Sequence, residues 1–452
     1  MVDRAILWFL PPQNPHASSL RYEAAPPAGE RWSGTPGARE RRIPNFTLHP
    51  SHFTLHTFPP TGTIASRMAR TQTQPSKAPR ILIVRPSALG DVSRTVGCAV
   101  ELRRQFPQAE IHWLVARAFA DVVRHHPAVD AVVLFDRAGL RKFGRSWRAT
   151  RDGLAFARQL RRAGYDRVYD LQGLFRSGLF TRLTGAPYRC GFANSREGAA
   201  MFYTHKYHVD PNLHTVDRMM SLLTPPPGTP GSPAPGSGET CGGASAGSGG
   251  EPDLRLYVGE ADQAWGEAFC QTHQLAGAGG YMCLAPTAQW GCKCWPIEFF
   301  ARLADRLLNL PETEAILMLA AAHERPRVDR LFDELARLGR PADELRRRVL
   351  FPATTVGQMM ALIRGCRLLV CNDSAALHIA VGLDRPFVAI HGPTDPRKVG
   401  PYHHRQWVLQ PPGVSEADMS RYRKHKDDDR LIRQVSVDAA WAKVCEVLSE
   451  TR

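Results

Sequence analysis

The stretch "ILIVRPSALGDVSRT", residues 81–95, decides the fold. Its first four residues are apolar, which is typical of a buried parallel strand, and a helical pattern starts at Val92. In the segment between strand and helix, Ser87 and Gly90 permit a tight turn. The stretch therefore predicts the opening strand, turn and helix of a βαβ unit, with an acid, Asp91, where the strand gives way to the helix.

The same alternation recurs along the chain. Apolar runs at 111–115, 131–135 and 167–171 alternate with amphipathic segments at 92–106 and 154–163. Further buried strands are predicted in "YMCLAP", "AILMLA", "RLLVCN" and "PFVAIHG", each with a helical pattern nearby, such as the apolar stripe within residues 295–308. This pattern predicts two α/β domains, each with a mostly parallel sheet, because strands and helices alternate. Ligands of such sheets bind at the carboxyl ends of the strands.

Composition marks the boundaries of these domains. Residues 1–78 are rich in Pro, Ser, Thr, Arg and Gly and predict a disordered tail, with Met68 as an alternative natural start. Residues 223–253, with "TPPPGTPGSPAPGSGETCGGASAGSGG", predict a flexible linker. We therefore expect Rossmann-like domains at 79–222 and 254–452.

The charge of the chain points to anionic partners. The excess of Lys and Arg over Asp and Glu gives a net charge of +15, which suits a nucleic acid, an anionic lipid surface or a phosphate-bearing substrate. Nucleic acid is the least favoured, because the basic residues are not interleaved with aromatic ones. No apolar run reaches the roughly 18 to 20 residues of a spanning helix, and the start does not resemble a signal peptide. We expect a cytoplasmic protein, with peripheral contact at the inner face of the cytoplasmic membrane as an open alternative.

The ten Cys residues are scattered without the paired spacing of a zinc site. Cys292 and Cys294 are close, but no second pair completes a ligand set. We expect reduced thiols that serve as small apolar residues, and no metal site.

Asp91 has two interpretations. An acid at a helix start can cap the helix by accepting backbone N–H bonds. A carboxylate at the carboxyl end of a strand can instead face a cleft and accept the proton of a hydroxyl. The surrounding "RPSALGD" is not the G-x-G-x-x-G fingerprint, so dinucleotide binding at this end is not supported.

The richest stretch is 368–402, where a strand ends at Cys371 and the next residues begin a helix. The backbone N–H groups at that start, at Ser374, Ala375 and Ala376, suit phosphate oxygens. Asp373 would repel a diphosphate and suits a hydroxyl-bearing part of the ligand. Ordinary capping remains the alternative for Asp373 and Ser374. His378, one turn after Ser374, is either a ligand contact or a buried core histidine.

Lys293 lies in "APTAQWGCKCWPIEFF", residues 285–300, just before a helix in which Pro296 suits the first turn. A lysine beside an anion-attracting helix N-terminus favours a phosphate site, and a simple exposed lysine is the alternative.

Six segments in order resemble the heptosyltransferase family, glycosyltransferase family 9. They are "ILIVRPSALGD", "YDRVYDLQGLFRSGLFTRLTG", "NSREGAAMFYTH", "WGCKCWP", "CNDSAALHIA" and "HGPTDPRKVGPY", covering roughly residues 80–222 and 280–405. The resemblance implies a GT-B fold, in which two Rossmann-like domains with parallel sheets face a cleft. The N-terminal domain would bind an acidic acceptor of the lipopolysaccharide core, and the C-terminal domain an ADP-heptose-like donor. The implied transfer is inverting and uses neither metal nor cofactor.

The resemblance also assigns roles to residues. Asp91 corresponds to the general base, and Lys293 with the amides around Ser374 to Ala376 would take up the charge of the leaving diphosphate. Asp373 looks like the sugar-contacting acid, and Glu324 is similar to a glutamate near the nucleotide ribose. The donor-binding set is Lys293, Glu324, Asp373, Ser374, Ala375, Ala376 and His378, and the acceptor-binding set is Ser87, Gly90, Arg94, Arg176 and Arg196.

The chain departs from the family pattern on the donor side and at Arg94, where the family commonly has His. Ala375 stands in place of Gly, and the turns at 286–288 and 320–322 lack the usual glycines. These departures motivate a second hypothesis, a nucleotide-sugar-binding or scaffold protein of the same fold without turnover.

Overall fold

The computed structural model describes residues 78–140, 142–223, 251–275, 280–422 and 424–451. Two six-stranded sheets lie within one compact unit, and every strand pairing in them is parallel. Apart from residues 78, 223 and 251–253, the predicted tail and linker lie outside the described residues. The α/β fold class with two parallel sheets is confirmed.

The first sheet belongs to the N-terminal half, residues 78–223. Its strands in chain order are β1 (Arg80–Val84), β2 (Glu110–Ala116), β3 (Ala131–Phe135), β4 (Arg167–Asp170), β5 (Tyr188–Phe192) and β6 (His205–Tyr207). They lie in the order β3-β2-β1-β4-β5-β6, so the chain reverses direction across the sheet beside β1. Such a switch point is where open α/β sheets bind ligands.

The second sheet belongs to the C-terminal half, residues 280–451. Its strands are β7 (Tyr281–Ala285), β8 (Ala315–Met318), β9 (Val349–Leu350), β10 (Leu369–Asn372), β11 (Phe387–Ile390) and β12 (Val408–Leu409). The order β12-β11-β10-β7-β8-β9 repeats the plan of the first sheet, with the reversal beside β7.

Helices cover both faces of each sheet. The helices before the linker are α1 (Leu89–Gln105), α2 (Asp121–Arg124), α3 (Arg137–Leu140), α4 (Trp147–Arg162), α5 (Phe175–Thr184) and α6 (Thr215–Met220). Those after it are α7 (Glu260–Thr272), α8 (Ile297–Leu308), α9 (Arg325–Arg337), α10 (Ala342–Arg348), α11 (Val356–Gly365), α12 (Ala375–Gly382), α13 (Pro396–Val399), α14 (Glu416–Arg421) and α15 (Val437–Glu450).

The continuous apolar run of β1 follows from burial on both faces. Ile81 and Ile83 face one hydrophobic cluster, while Leu82 and Val84 face another, and all four are fully buried. The side chains on both faces of β1 are therefore buried, as is typical of a central strand in a parallel sheet.

The two halves meet along α1 and α12, which pack directly against each other. Polar contacts extend this interface: the His214 imidazole Nε2 lies 3.2 Å from the Gly400 carbonyl, and the Tyr402 hydroxyl donates to the Asp217 carboxylate at 2.6 Å. The carboxyl ends of β1 and β10 thus lead into helices that touch. No helix among the described residues combines the length and the hydropathy needed to cross a bilayer.

Candidate active site

Asp91 is the third residue of α1, because the helix begins at Leu89, three residues before the predicted Val92. The N-cap position belongs to Ala88, so of the two interpretations of Asp91 the one that makes it the N-cap residue does not hold, although Asp91 lies in the first turn. The Asp91 carboxylate still accepts a long hydrogen bond from the Ala88 N–H, at 3.4 Å. Its side chain is 34% exposed, so this acid remains open to a ligand.

Two arginines hold the Asp91 carboxylate. Arg94 donates to Oδ1 from one turn along α1, and Arg85 Nη2 lies 3.2 Å from Oδ2. Burial alone would raise the pKa of Asp91, but the two guanidinium groups hold it well below its usual range. Asp91 is therefore ionised at neutral pH, as a proton acceptor must be.

Arg94 connects this acid to the C-terminal half. While one terminal nitrogen contacts Asp91, the other donates to the Val399 carbonyl at 2.8 Å. Among the described residues, its buried Nε has no hydrogen-bond partner. Both terminal nitrogens are thus engaged within the protein, and Arg94 ties the acid to the end of α13.

Arg85 is a site residue that the sequence interpretation missed. It is buried at the end of β1 and donates to the Leu171 carbonyl as well as contacting Asp91. A cation directly after four buried apolar residues requires an anionic partner, because an unpaired buried charge is costly. Its position six residues before Asp91 is the signal that could have identified the pair.

The other predicted acceptor residues lie on neighbouring loops at the carboxyl edge of the first sheet. The backbone N–H of Ser87 donates to the Gln172 side chain at 3.3 Å, next to the end of β4. Arg176 is exposed at the second position of α5, and Arg196 is exposed on the loop after β5. The Arg196 backbone N–H donates to the Gly173 carbonyl at 3.1 Å, which joins the two loops.

Arg218 on α6 adds a further cation that the sequence interpretation missed. Burial, followed by the nearby charges of Arg196 and Arg85, lowers its pKa. Its Nε is buried without a partner among the described residues. Arg218 therefore adds a buried cation near Arg85 and Arg196, with Asp210 as the acid that acts on it.

Asp170, the acid of "YDLQG", orders the loop beside this site. Its Oδ1 accepts from the backbone N–H groups of Gln172 and Gly173 at 2.9 and 3.1 Å, and its Oδ2 accepts from the Tyr203 hydroxyl at 2.7 Å. Complete burial raises its pKa. Asp170 is thus a positioning residue that shapes the turn in which Gln172 meets Ser87.

In the C-terminal half, Lys293 and Asp373 form an ion pair at 2.7 Å between Nζ and Oδ2. Thr394 donates its hydroxyl to the same carboxylate oxygen at 2.8 Å. The Asp373 side chain is only 6% exposed. Burial alone would raise the pKa of Asp373, but Lys293 and then His391 hold it well below its usual range.

Ser374 is the N-cap of α12, as predicted, but its side chain makes no capping hydrogen bond. Ala375 and Ala376 are the first two helical residues, so the N–H groups of the first turn are not satisfied by Ser374. Lys293 lies beside this helix start through its bond to Asp373. A cation and open amides therefore adjoin each other, which suits phosphate oxygens.

His378 lies where the two halves are closest. A Cβ built on Gly90 would lie 2.9 Å from His378 Cδ2 and 3.3 Å from Ala375 Cα, so only glycine fits this contact. Burial, reinforced by the charge of Arg94, holds the pKa of His378 well below its ordinary value. Of the two alternatives for His378, the structure shows the buried histidine, and the lowered pKa keeps this imidazole neutral at physiological pH.

Glu324 lies beyond the end of β8, in the short helical turn at 322–324. Its carboxylate accepts from the Thr287 hydroxyl at 3.0 Å and from the Ala321 N–H at 2.8 Å. It is half-buried at the same sheet edge as Asp373, with β7 between their two strands.

The structure brings together most of the predicted residues. Asp91 lies in the first turn of α1 and Asp373 directly precedes α12, so the contact between these two helices brings both acids to one region. Arg176, Arg196 and Glu324 lie farther along the two edges. Among the residues that the structure describes, no group of three or more His, Cys, Asp or Glu is placed to hold a metal ion.

Comparison with known proteins gives a family match and several relatives. Residues 153–425 match the model of glycosyltransferase family 9 (heptosyltransferase). "Lipopolysaccharide heptosyltransferase 1" of Escherichia coli O18:K1:H7 is 26% identical over 340 residues, which cover 74% of this chain and 92% of the relative. The Pseudomonas aeruginosa protein of the same name is 27% identical over 336 residues, which cover 72% and 82%.

Solved structures show the same fold. The E. coli heptosyltransferase WaaC with ADP-2-deoxy-2-fluoro heptose superposes with a TM-score of 0.59 at 24% identity, covering 81% of this chain and 99% of that one. A glycosyltransferase family 9 protein from Veillonella parvula reaches a TM-score of 0.65 at 19% identity, covering 82% and 98%. The two-sheet architecture is therefore that of the GT-B heptosyltransferases.

Proposed function

This chain belongs to glycosyltransferase family 9, and from that premise we propose that it transfers a heptose, or a related sugar, from an ADP-sugar to an acidic acceptor of the lipopolysaccharide-core type. The reaction inverts the anomeric carbon and uses no metal. The relatives named for lipopolysaccharide heptosyl transfer support this assignment, as does the pair of acids on opposite sides of the contact between α1 and α12.

Asp91 is the general base of the proposed reaction. Its carboxylate takes the proton from an acceptor hydroxyl while that oxygen forms a bond to the anomeric carbon of the donor. The bond from that carbon to the diphosphate breaks on the opposite side, and its electron pair leaves with ADP. Attack from the N-terminal half on a donor held by the C-terminal half therefore inverts the configuration.

The departing diphosphate gains negative charge, which Lys293 and the first-turn amides of α12 stabilise. Asp373 fixes Lys293 through Oδ2, while its Oδ1 accepts no hydrogen bond from the described residues. Oδ1 would accept from a sugar hydroxyl. In this arrangement Asp373 holds Lys293 near the phosphates and also orients the sugar.

The arginines supply the acceptor site and also set the basicity of Asp91. An anionic group of the acceptor is drawn to Arg85 and Arg94, where it competes with the Asp91 carboxylate. Loss of these contacts raises the pKa of Asp91 and makes it a stronger base. The acceptor thus activates the base only when it is bound.

The partners of the proposed function are an ADP-heptose-like donor and an acidic glycolipid, without nucleic acid. A glycolipid acceptor would bring the protein to the inner face of the cytoplasmic membrane as a peripheral protein. The net charge of +15 favours this contact with an anionic surface.

The observation that carries the proposal is the contact of α1 and α12, because Asp91 lies in the first turn of α1 and Asp373 directly precedes α12. The test supplies ADP-heptose and a deacylated lipopolysaccharide-core acceptor and analyses the product and its anomeric configuration. We expect an inverted heptosyl product from the wild-type protein and none from Asp91→Asn. ADP binding without transfer in the wild type would favour the binding-protein alternative instead.

A further inference from the structure

Helix α4 presents an unusual outer face. Trp147, its first residue, is 83% exposed, although tryptophan is usually largely buried. Leu154, seven residues on and two turns along, is also exposed. Both side chains therefore point away from the core that the helix covers.

The inner face of α4 packs against the core of the N-terminal half. Leu160 is buried against the sheet, and Phe156 packs edge-on to Phe180 of α5 with ring centroids 5.6 Å apart. The exposed Trp147 contributes nothing to this core. Stability of the fold thus gives no reason for a tryptophan at this position.

The same segment carries a strong positive charge. Residues 137–162 contain nine Lys or Arg and a single acid, Asp152. Arg148 and Arg151 are largely exposed beside Trp147, and both lie within reach of Asp152. A helix with basic residues on its outer face and an exposed aromatic ring has the composition of a membrane-surface helix.

The topology places this face at the mouth of the acceptor site. Helix α4 follows β3 and α3 and leads to the parallel strand β4, so Trp147 lies at the carboxyl edge of the first sheet. Asp91 follows β1 at the same edge. Met201, 71% exposed, lies beside the start of α5, because its neighbour Phe202 packs on Phe175.

We propose that the outer face of α4, formed by Trp147, Arg148, Arg151 and Leu154, binds the surface of an anionic lipid bilayer. This inference rests on the proposed function, because a bilayer at this edge would present a lipid-anchored acceptor directly to Asp91. Trp147 inserts its ring at the headgroup level, and the arginines attract anionic headgroups.

The test measures sedimentation of the full chain with vesicles of phosphatidylglycerol and phosphatidylcholine or of phosphatidylcholine alone. We expect binding to the anionic vesicles that weakens with salt, and little binding to the neutral ones. In Arg148→Ser/Arg151→Ser, partitioning should fall roughly 30-fold, since each basic residue near the surface contributes about 1 kcal/mol. Equal binding to both vesicles would overturn the proposal.

Matched controls lie on the C-terminal half. Arg346→Ser/Arg347→Ser removes two exposed guanidinium groups from α10, and should leave partitioning within about twofold of wild type. Trp147→Ser should weaken binding, whereas Leu338→Ser, at another exposed apolar position, should not. Equal losses in the variants and their controls would mean that only overall charge matters, which contradicts a defined face.

Transfer assays separate this inference from the proposed function. With a deacylated, water-soluble acceptor, the α4 variants should keep the wild-type rate, while transfer to the acceptor in anionic vesicles should fall with partitioning. No transfer by the wild-type protein to either acceptor would refute the proposed function alone. Tighter binding of an oligonucleotide than of anionic vesicles, lost in the same variants, would overturn the lipid assignment.

Discussion

The two acids of the site are built alike and held differently. Asp91 and Asp373 both follow a central strand, both adjoin a helix start, and cationic neighbours hold both pKa values well below the usual range. Yet the side chain of Asp91 is 34% exposed and that of Asp373 only 6%. An acid that must exchange a proton with a substrate needs access, whereas an acid that orients a donor needs fixed geometry.

The side-chain partners of the two acids also differ, and those of Asp373 fix it more firmly. Asp373 is fixed by an ion pair and a hydroxyl on one oxygen. Asp91 is held by two arginines, and one of these also reaches the opposite half through the Val399 carbonyl. We infer that Asp373 belongs to a preformed donor site. Asp91 belongs to a site that the bound acceptor rearranges.

The largest expected effect is on turnover. Asp91→Asn should lower kcat roughly 1,000-fold, because the amide cannot take the acceptor proton and general bases typically contribute 10²–10⁴-fold. Steady-state transfer assays measure this loss. As a control, Asp329→Asn changes a surface acid that pairs with Arg325 and should keep wild-type kcat. A normal rate in Asp91→Asn would refute the base assignment.

The next effect separates donor binding from chemistry. Lys293→Met should weaken ADP affinity roughly 10- to 100-fold, since a charge-assisted contact to phosphate contributes about 1.5–3 kcal/mol. Isothermal titration with ADP measures it, with Lys206→Met, an exposed lysine of β6, as the control. Unchanged affinity in Lys293→Met would place the diphosphate elsewhere.

Gly90→Ala tests the close contact between the halves. The added methyl would meet His378 and the Ala375 backbone, and overpacking of this kind costs about 1–3 kcal/mol. We expect a lower unfolding temperature together with reduced transfer. A fully stable and active variant would show that α1 and α12 are not held together during turnover.

Removing Arg94 should shift the pH dependence of the free enzyme. Arg85, Arg94 and His378 are the titratable or charged groups around Asp91. Arg85 and Arg94 hold the pKa of Asp91 below the ordinary aspartate value of 3.8, so the acidic limb of the kcat/KM profile lies below pH 3.8. Arg94→Met should move that limb toward higher pH. The stability from this contact is present above the unfolded pKa and is lost as pH falls through the folded one. An unmoved limb would assign the titration to another group.

The smallest effect concerns the rigidity of the donor acid. Thr394→Val removes the hydroxyl that donates to Asp373 and should lower the free energy of unfolding by about 1 kcal/mol. Chemical denaturation measures the change. Since Lys293 still pairs with Asp373, ADP affinity should remain within a fewfold of wild type.

Strong local patterns made most of the fold predictable. The apolar runs gave β1, β2, β3, β4, β7, β8, β10 and β11, because strands buried on both faces need no polar residues. The short strands β5, β6, β9 and β12 were missed, since "YRCGF" and "HKY" mix polar and apolar residues and the others span two residues. Helix α4 begins seven residues before the predicted start, because its first turn is polar apart from Trp147 and the small Ala149.

Candidate site residues could be named from the sequence, although Arg85 and Arg218 were not among them, but the contacts of these residues could not be predicted. Asp91, Lys293 and Asp373 stand in recognisable segments, yet their partners depend on side-chain reach across the fold. Arg94 meets Val399, and Gly90 meets His378, from segments far apart in the chain. Such contacts follow from the packing of two domains, which no local pattern encodes.

The division of labour between the two acids is tested most directly by titrating ADP into Asp91→Asn and Lys293→Met under identical conditions. We predict that Asp91→Asn binds ADP within about twofold of wild type while its turnover is lost, whereas Lys293→Met binds ADP far more weakly. A large loss of ADP affinity in Asp91→Asn, or wild-type affinity in Lys293→Met, would contradict this account.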